Sequence, residues 1–219
     1  MLKAWNNRSV NMIPTQLLWL QSDGLSYVKT DFILPSVMCP IEVDYAVMDS
    51  QQGSIWPAIV TSGAQAERSS LFKLTVWVPY SSWIWFQTGI YQLENSFSSG
   101  QRIKLLAYKV SSDKSEKVIV SYVDGISVPY KYESWTTPID EMANTINFFA
   151  EISRSGDPYS DSICKTGRFY GCKVYDKDDH NIVLASFKPA LLKGVVGVYE
   201  EISKKFYPEL GEGHLLYSE

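Results

Sequence analysis

Apolar and polar positions alternate with a period of two along most of this chain, and the alternating blocks are short. The clearest block begins at Gly167 and reads GRFYGCKVYD. It sets Arg168, Tyr170, Cys172 and Val174 on one side and Phe169, Gly171, Lys173 and Tyr175 on the other. A period of two is the mark of a strand with two unlike faces. The polar run Asp176 to Asn181 follows, and Ile182 to Phe187 returns apolar. Strand, tight polar turn and strand predict an antiparallel hairpin. The same pattern predicts strands over Leu17–Leu20, Tyr27–Thr30, Ile41–Met48, Ile55–Thr61, Phe72–Val78, Ile84–Phe86, Arg102–Val110, Lys117–Val123, Ser127–Tyr130, Val195–Glu200 and Leu215–Tyr217.

Ile146 to Ile152 is almost unbroken apolar sequence. It predicts a central strand covered on both faces. Only Pro138 to Ala143 predicts a helix, with proline first and Asp140 and Glu141 in the first turn. About a dozen short strands separated by turn residues predict an all-β fold, an antiparallel β-sandwich of jelly-roll type. Phe148, Val174, Ile182 and Val198 are its expected core residues. The sandwich spans residues 17–219. Residues 1–16 form an N-terminal arm with Trp5, Met12 and Ile13 as apolar anchors for assembly.

The order of the closing strands resembles a known family. Gly194-Val195-Val196-Gly197-Val198-Tyr199-Glu200, Lys205-Phe206-Tyr207 and Gly211-Glu212-Gly213 are similar to the last strands of laminin-G-like, concanavalin-A-like jelly rolls. Such domains occur in bacteriophage virion proteins and in surface proteins of gut bacteria. Glu200 stands where that pattern has Asp. Near the start, Ser22, Gly24, Tyr27 and Thr30 fall in register with the family's opening strands, with Lys29 replacing an Asp. Val123-Asp124-Gly125 and Asn147-Phe148-Phe149-Ala150 match in the middle. The resemblance covers roughly Leu17 to Tyr217. It implies a non-catalytic structural, decoration or adhesion protein of a phage particle, lectin-like, on head or tail. Its partners would be other virion proteins, copies of itself, and host-cell surface glycans. The alternative is a carbohydrate-binding module of a bacterial surface or secreted protein.

Composition narrows the partners. The 219 residues carry a net charge of −4 and no Lys/Arg run, so no nucleic acid is expected. No window approaches about 18 consecutive apolar residues, so no membrane span is expected. The first residues, MLKAWNNRSV, lack the apolar core of a signal peptide. A chain starting there is expected to assemble in the host cytoplasm and end in the virion, rather than being exported to a bacterial surface. Cys39, Cys164 and Cys172 form no disulfide framework. Cys172 reads as a small buried apolar residue.

Aromatic residues make up 14% of the chain. They are densest in Trp77-Val78-Pro79-Tyr80-Ser81-Ser82-Trp83-Ile84-Trp85-Phe86. In a strand Trp83 and Trp85 share one face, and Ile84 and Phe86 the other. One face must be core; the other is a sugar-stacking platform or a protein contact. Trp77, Tyr80, Trp83 and Trp85 are therefore candidate glycan- or partner-binding residues. Tyr159, in the polar loop Ser153 to Thr166, joins them because loops on rigid sandwiches often carry binding.

Two acidic runs suggest chemistry and fall short of it. Glu42-Val43-Asp44 resembles the carboxylate strand of jelly-roll glycoside hydrolases, which needs a further glutamate. Ala46 and Val47 stand near that place, so no catalytic residue is expected. Glu42 and Asp44 read as a solvated face, with Val43, Tyr45 and Val47 inside. Asp176 to Asn181 has the oxygens of a calcium loop but lacks its glycine and distal glutamate. It reads as a turn, so neither a metal nor another cofactor is expected. His180 and His214 have no nucleophile motif around them.

Overall fold

The computed structural model describes residues 13–219 except 49–57, 63, 66–71, 78–80, 87–88, 95–97, 111–117, 123–124, 135–144, 151, 154–157, 159–162 and 166. The helix expected at Pro138 to Ala143 lies outside the described residues. Among these, all regular structure is strand. In chain order the strands are β1 Thr15–Gln16, β2 Trp19–Ser22, β3 Ser26–Ile33, β4 Ile41–Val47, β5 Ala58–Ser62, β6 Ala64–Gln65, β7 Phe72–Trp77, β8 Ser81–Phe86, β9 Gly89–Leu93 and β10 Arg102–Lys109. There follow β11 Val118–Tyr122, β12 Tyr130–Ser134, β13 Thr145–Phe148, β14 Ile152–Ser153, β15 Gly167–Tyr175, β16 Val183–Leu192, β17 Val195–Glu200, β18 Lys205–Gly211 and β19 Leu215–Ser218.

Seventeen of these strands form one hydrogen-bonded antiparallel sheet. Its main path is β11-β10-β4-β15-β16-β17-β18-β3-β13-β5-β7-β8-β9-β12. β2 adds to the free part of β15, β19 to β2, and β1 to β16. Strands β6 and β14 make a separate two-residue parallel pair. The last two residues of the expected N-terminal arm are thus a strand of the sheet.

The core lies where the two arms of this path meet. Phe148 on β13 packs 4.6 Å from the ring of Phe169 on β15 and 5.3 Å from Phe187 on β16. The Tyr45 hydroxyl on β4 bonds Ser82 on β8 at 2.8 Å. Alternation explains which side chains enter. In β10, Ile103, Leu105 and Ala107 are buried while Arg102 and Lys104 are exposed.

β18 crosses from one arm to the other. Its first residues pair with β17, and Glu209 to Gly211 pair with β3. Lys205 and Tyr207 both donate to the Asp31 carboxylate on β3. Gly211 has a φ of 105° and would carry a Cβ 2.0 Å from the Leu25 carbonyl, so no side chain fits there. Beyond it, Asp23 accepts from the Leu25 and His214 backbone N–H groups at 2.8 and 2.9 Å. At the other end of β18, the buried Glu200 carboxylate accepts from the N–H groups of Ser186 and Ile202, each at 2.9 Å, and from that of Ser203. Burial opposes the charge on Glu200, but these hydrogen bonds outweigh it and hold the carboxyl below the ordinary glutamate value of 4.5.

Several expectations need correction. Ile182 is 50% exposed because it closes the turn: its N–H donates to the Asp179 carbonyl and its own carbonyl accepts from Asp176. Phe148, Val174 and Val198 are fully buried. The apolar run from Ile146 does not reach Ile152 as one strand. Phe149 adopts a φ of 67°, and the chain bends there. Strand β9 was not expected; it is short, five residues beginning at Gly89, and three of them, Ile90, Tyr91 and Leu93, are buried. In β15 the strict alternation fails at a bulge between Phe169 and Gly171. Phe169, Cys172 and Val174 point inward, while Arg168, Tyr170, Lys173 and Tyr175 are only half-buried. All three cysteines are buried, and none is in a disulfide.

Two stability measurements check this packing. Phe148→Ala costs about 3–5 kcal/mol in urea unfolding, as core aromatics do, whereas Ile182→Ala changes stability by less than about 0.5 kcal/mol. Equal effects at the two positions contradict the inward assignment. Glu200→Gln costs about 1–3 kcal/mol at neutral pH. The folded carboxyl is held below its unfolded value, so its contribution is present above that value and disappears as pH falls through the folded one. The unfolding curves of parent and variant should therefore converge on acidification below pH 4.5; a gap that stays constant contradicts the assignment.

Candidate binding surface

β8 alternates as its sequence predicts. Ile84 and Phe86 enter the core, and Trp83 and Trp85 take the other face. Trp85 faces Lys73 across the β7 pairing, with the ammonium 5.3 Å from the ring centroid. Both side chains are buried, Trp85 at 8% exposure. The chain itself covers this part of the aromatic face. Trp83, paired with Thr75 and Gln92, is half-buried and keeps open surface. Its indole nitrogen is buried with no acceptor among the described residues. Trp77 ends β7 opposite Ser81. Ile13 is 86% exposed. Tyr80, Tyr159, Trp5 and Met12 lie outside the described residues.

A second aromatic surface lies on the other arm, and it was not expected. It is the outward face of β2, β15, β4 and β10. The Arg168 guanidinium stacks 4.1 Å from the Trp19 ring and donates to Gln21 at 3.2 Å. The Arg102 guanidinium lies 4.4 Å from the Tyr170 ring. Arg102 also holds Asp44 through two hydrogen bonds of 2.7 Å, and that contact raises the pKa of the guanidinium further. Ala46 is the cross-strand partner of both arginines. Its small side chain leaves room for the two guanidiniums side by side. The bulge at Tyr170 brings this about, because it turns Tyr170 outward beside Arg102 while Cys172 and Val174 stay inside. The sequence signal was Gly171 inside an alternating run, a common mark of a bulge.

The carboxylates of β4 are not a solvated face. Asp44 is 8% exposed at its side chain, clamped by Arg102 and with Lys104 at 3.6 Å. Glu42 accepts from the Tyr175 hydroxyl at 2.7 Å and has Lys173 at 3.9 Å. Val43, Tyr45, Ala46 and Val47 are buried. In the turn after β15, Asp176 accepts from the N–H groups of Asp178 and Asp179, and Asp179 from that of Asn181. Their oxygens serve the turn, and the described residues contain no cluster of three acidic, His or Cys side chains able to hold a metal.

Comparison of the chain with protein-family models gives no match, and no curated protein matches it.

The Arg102–Asp44 clamp has a measurable weight. Arg102→Ala leaves a buried carboxylate short of its bidentate partner. With Arg102 itself 54% exposed at its side chain, solvent screens part of the loss, and about 1–2 kcal/mol is expected in urea unfolding. Arg102→Ala in an Asp44→Asn background should cost distinctly less. Equal costs in the two backgrounds contradict the clamp.

Proposed function

We propose that this chain is a non-catalytic, lectin-like β-sandwich of jelly-roll type that serves as a decoration or adhesion protein of a bacteriophage particle and binds saccharide on the Trp19–Arg168–Tyr170–Arg102 surface. The observation that carries the binding claim is the pairing of two aromatic rings with two guanidiniums on one outward sheet face. Aromatic rings offer flat apolar area to the C–H face of a sugar, and a guanidinium offers several fixed donors to its hydroxyls. Contacts from Phe148 to Phe169 and Phe187, and from Tyr45 to Ser82, support two layers packed face to face. The virion setting and the virion partners, including copies of the same chain, rest on the resemblance of the closing strands.

The absence of hydrolysis rests on the carboxylates. Retaining cleavage needs two free carboxyls about 5–5.5 Å apart across the scissile bond. Asp44 is held by Arg102 and Lys104, and the place of a further acid is taken by buried Ala46 and Val47.

A glycan array with the full chain tests this reading. The parent should retain a defined set of oligosaccharides, and Trp19→Ala should weaken that binding at least about tenfold, the loss of one stacking ring. Trp85→Ala should not, because Trp85 is buried at 8% exposure whereas Trp19 is only half-buried. Binding that depends on Trp85 and ignores Trp19, or no binding by the parent, contradicts the surface assignment.

A further inference from the structure

At the other end of the same sheet face, Pro40, Glu42, Leu106, Tyr175 and His180 line an open cleft of ≈ 220 Å³. We propose that this cleft is a subsite for one neutral pyranose ring, recognised by Glu42 and Tyr175, and that it extends the surface around Trp19 into an oligosaccharide groove. The proposal rests on the saccharide reading of that surface.

Size sets the ligand class first. Pockets for drug-sized ligands begin at roughly 300 Å³, so this cleft suits a single ring. Its lining is mixed in the way a sugar requires. Pro40 and Leu106 give apolar wall for ring C–H groups. Glu42 and Tyr175 give the polar pair, joined by a 2.7 Å hydrogen bond. One carboxylate has about four acceptor sites, and Tyr175 uses one of them. The remaining lone pairs can accept from ligand hydroxyls. Burial first, and then the Glu42 carboxylate, push the Tyr175 phenol above its ordinary pKa. It therefore stays a donor in this pair. His180 stands at the rim with its ring 5.1 Å from Tyr108, edge to face.

Charge selects among sugars. The Glu42 carboxylate faces the cleft, and Lys173 lies 3.9 Å from it on the neighbouring strand. Lys173 is not part of the cleft lining and offsets that charge only from one side. An anionic sugar seated in the cleft would set its carboxylate against Glu42 itself and meet like-charge repulsion. A neutral, hydroxyl-rich ring avoids it.

Position links the cleft to the surface already described. Glu42 and Ala46 are four residues apart on β4 and point to the same side, which is about 13 Å along the strand. Ala46 is flanked by Arg102 and Arg168. Asp44 lies between the two ends with Lys104 beside it. A short oligosaccharide lying along β4 would reach both ends.

Ligand-observed NMR with the full chain tests the subsite. The probes are glucose, galactose, N-acetylglucosamine and glucuronate, each added alone to the parent and to Glu42→Gln, Tyr175→Phe and Trp19→Ala. At least one neutral monosaccharide should saturate the parent and Trp19→Ala. It should bind about tenfold more weakly to Glu42→Gln and to Tyr175→Phe, and glucuronate should not bind. Monosaccharide binding unchanged in both cleft variants, or absent from the parent, overturns the subsite. Oligosaccharide binding that needs Trp19 but neither Glu42 nor Tyr175 overturns it too, while leaving the surface around Trp19 intact. Monosaccharide binding that needs Glu42 and Tyr175, in a chain whose oligosaccharide binding ignores Trp19, upholds the subsite and removes that surface.

Discussion

The double pairing of β18 is the constraint on which the rest of this structure depends. One strand hydrogen-bonds β17 with its first half and β3 with its second, so it joins the two arms of the sheet covalently and by its ladder. Carboxylates fix the crossing, in addition to the buried Tyr207 packed in the core. Asp31 takes Lys205 and Tyr207, Glu200 takes three backbone N–H groups, and Asp23 ties the turn before β3 to the segment after β18. Each carboxylate satisfies donors that would otherwise be stranded at a strand end. With the seam in place, Phe148 is brought over Phe169 and Phe187, and the core closes.

The outward face of β15 depends on that frame and on one irregularity in it. β15 is held on one edge by β4 for its whole length and on the other by β2 and then β16. A strand so enclosed has a fixed register, and the bulge at Tyr170 shifts it by one residue. Before the bulge, Phe169 is inside; after it, Cys172 and Val174 are. The outer positions collect Arg168, Tyr170, Lys173 and Tyr175 in one strip. The Trp19 surface and the Glu42–Tyr175 pair are therefore built from a single strand and its neighbours, with Pro40 and the turn residue His180 added at the cleft.

Much of the fold was legible in the sequence. Periods of two placed most strands within a few residues. Lys205, Tyr207 and Gly211 of the closing pattern, and Glu200 where that pattern has Asp, are residues that hold β18. What the alternation could not reveal was where it breaks. Phe149 leaves the strand through a left-handed φ that only surrounding packing can impose, and Ile182 spends an apolar side chain on closing a turn. The candidate surface escaped for the same reason. Trp19, Arg102 and the Arg168–Tyr170 pair lie far apart in sequence and meet only through strand pairing, and the bulge at Tyr170 hid the face of that residue. The aromatic run at Trp83 and Trp85 was conspicuous in sequence, yet Trp85 is buried within the chain.

Saccharide contact at Trp19 is the central claim. Indole N–H resonances of the ¹⁵N-labelled full chain, assigned by single Trp→Phe variants, report it directly during titration with an oligosaccharide selected on the array. The account predicts that the Trp19 indole signal moves and saturates while the Trp85 signal stays in place. Saturation at Trp85 or Trp83 with Trp19 unmoved would contradict it.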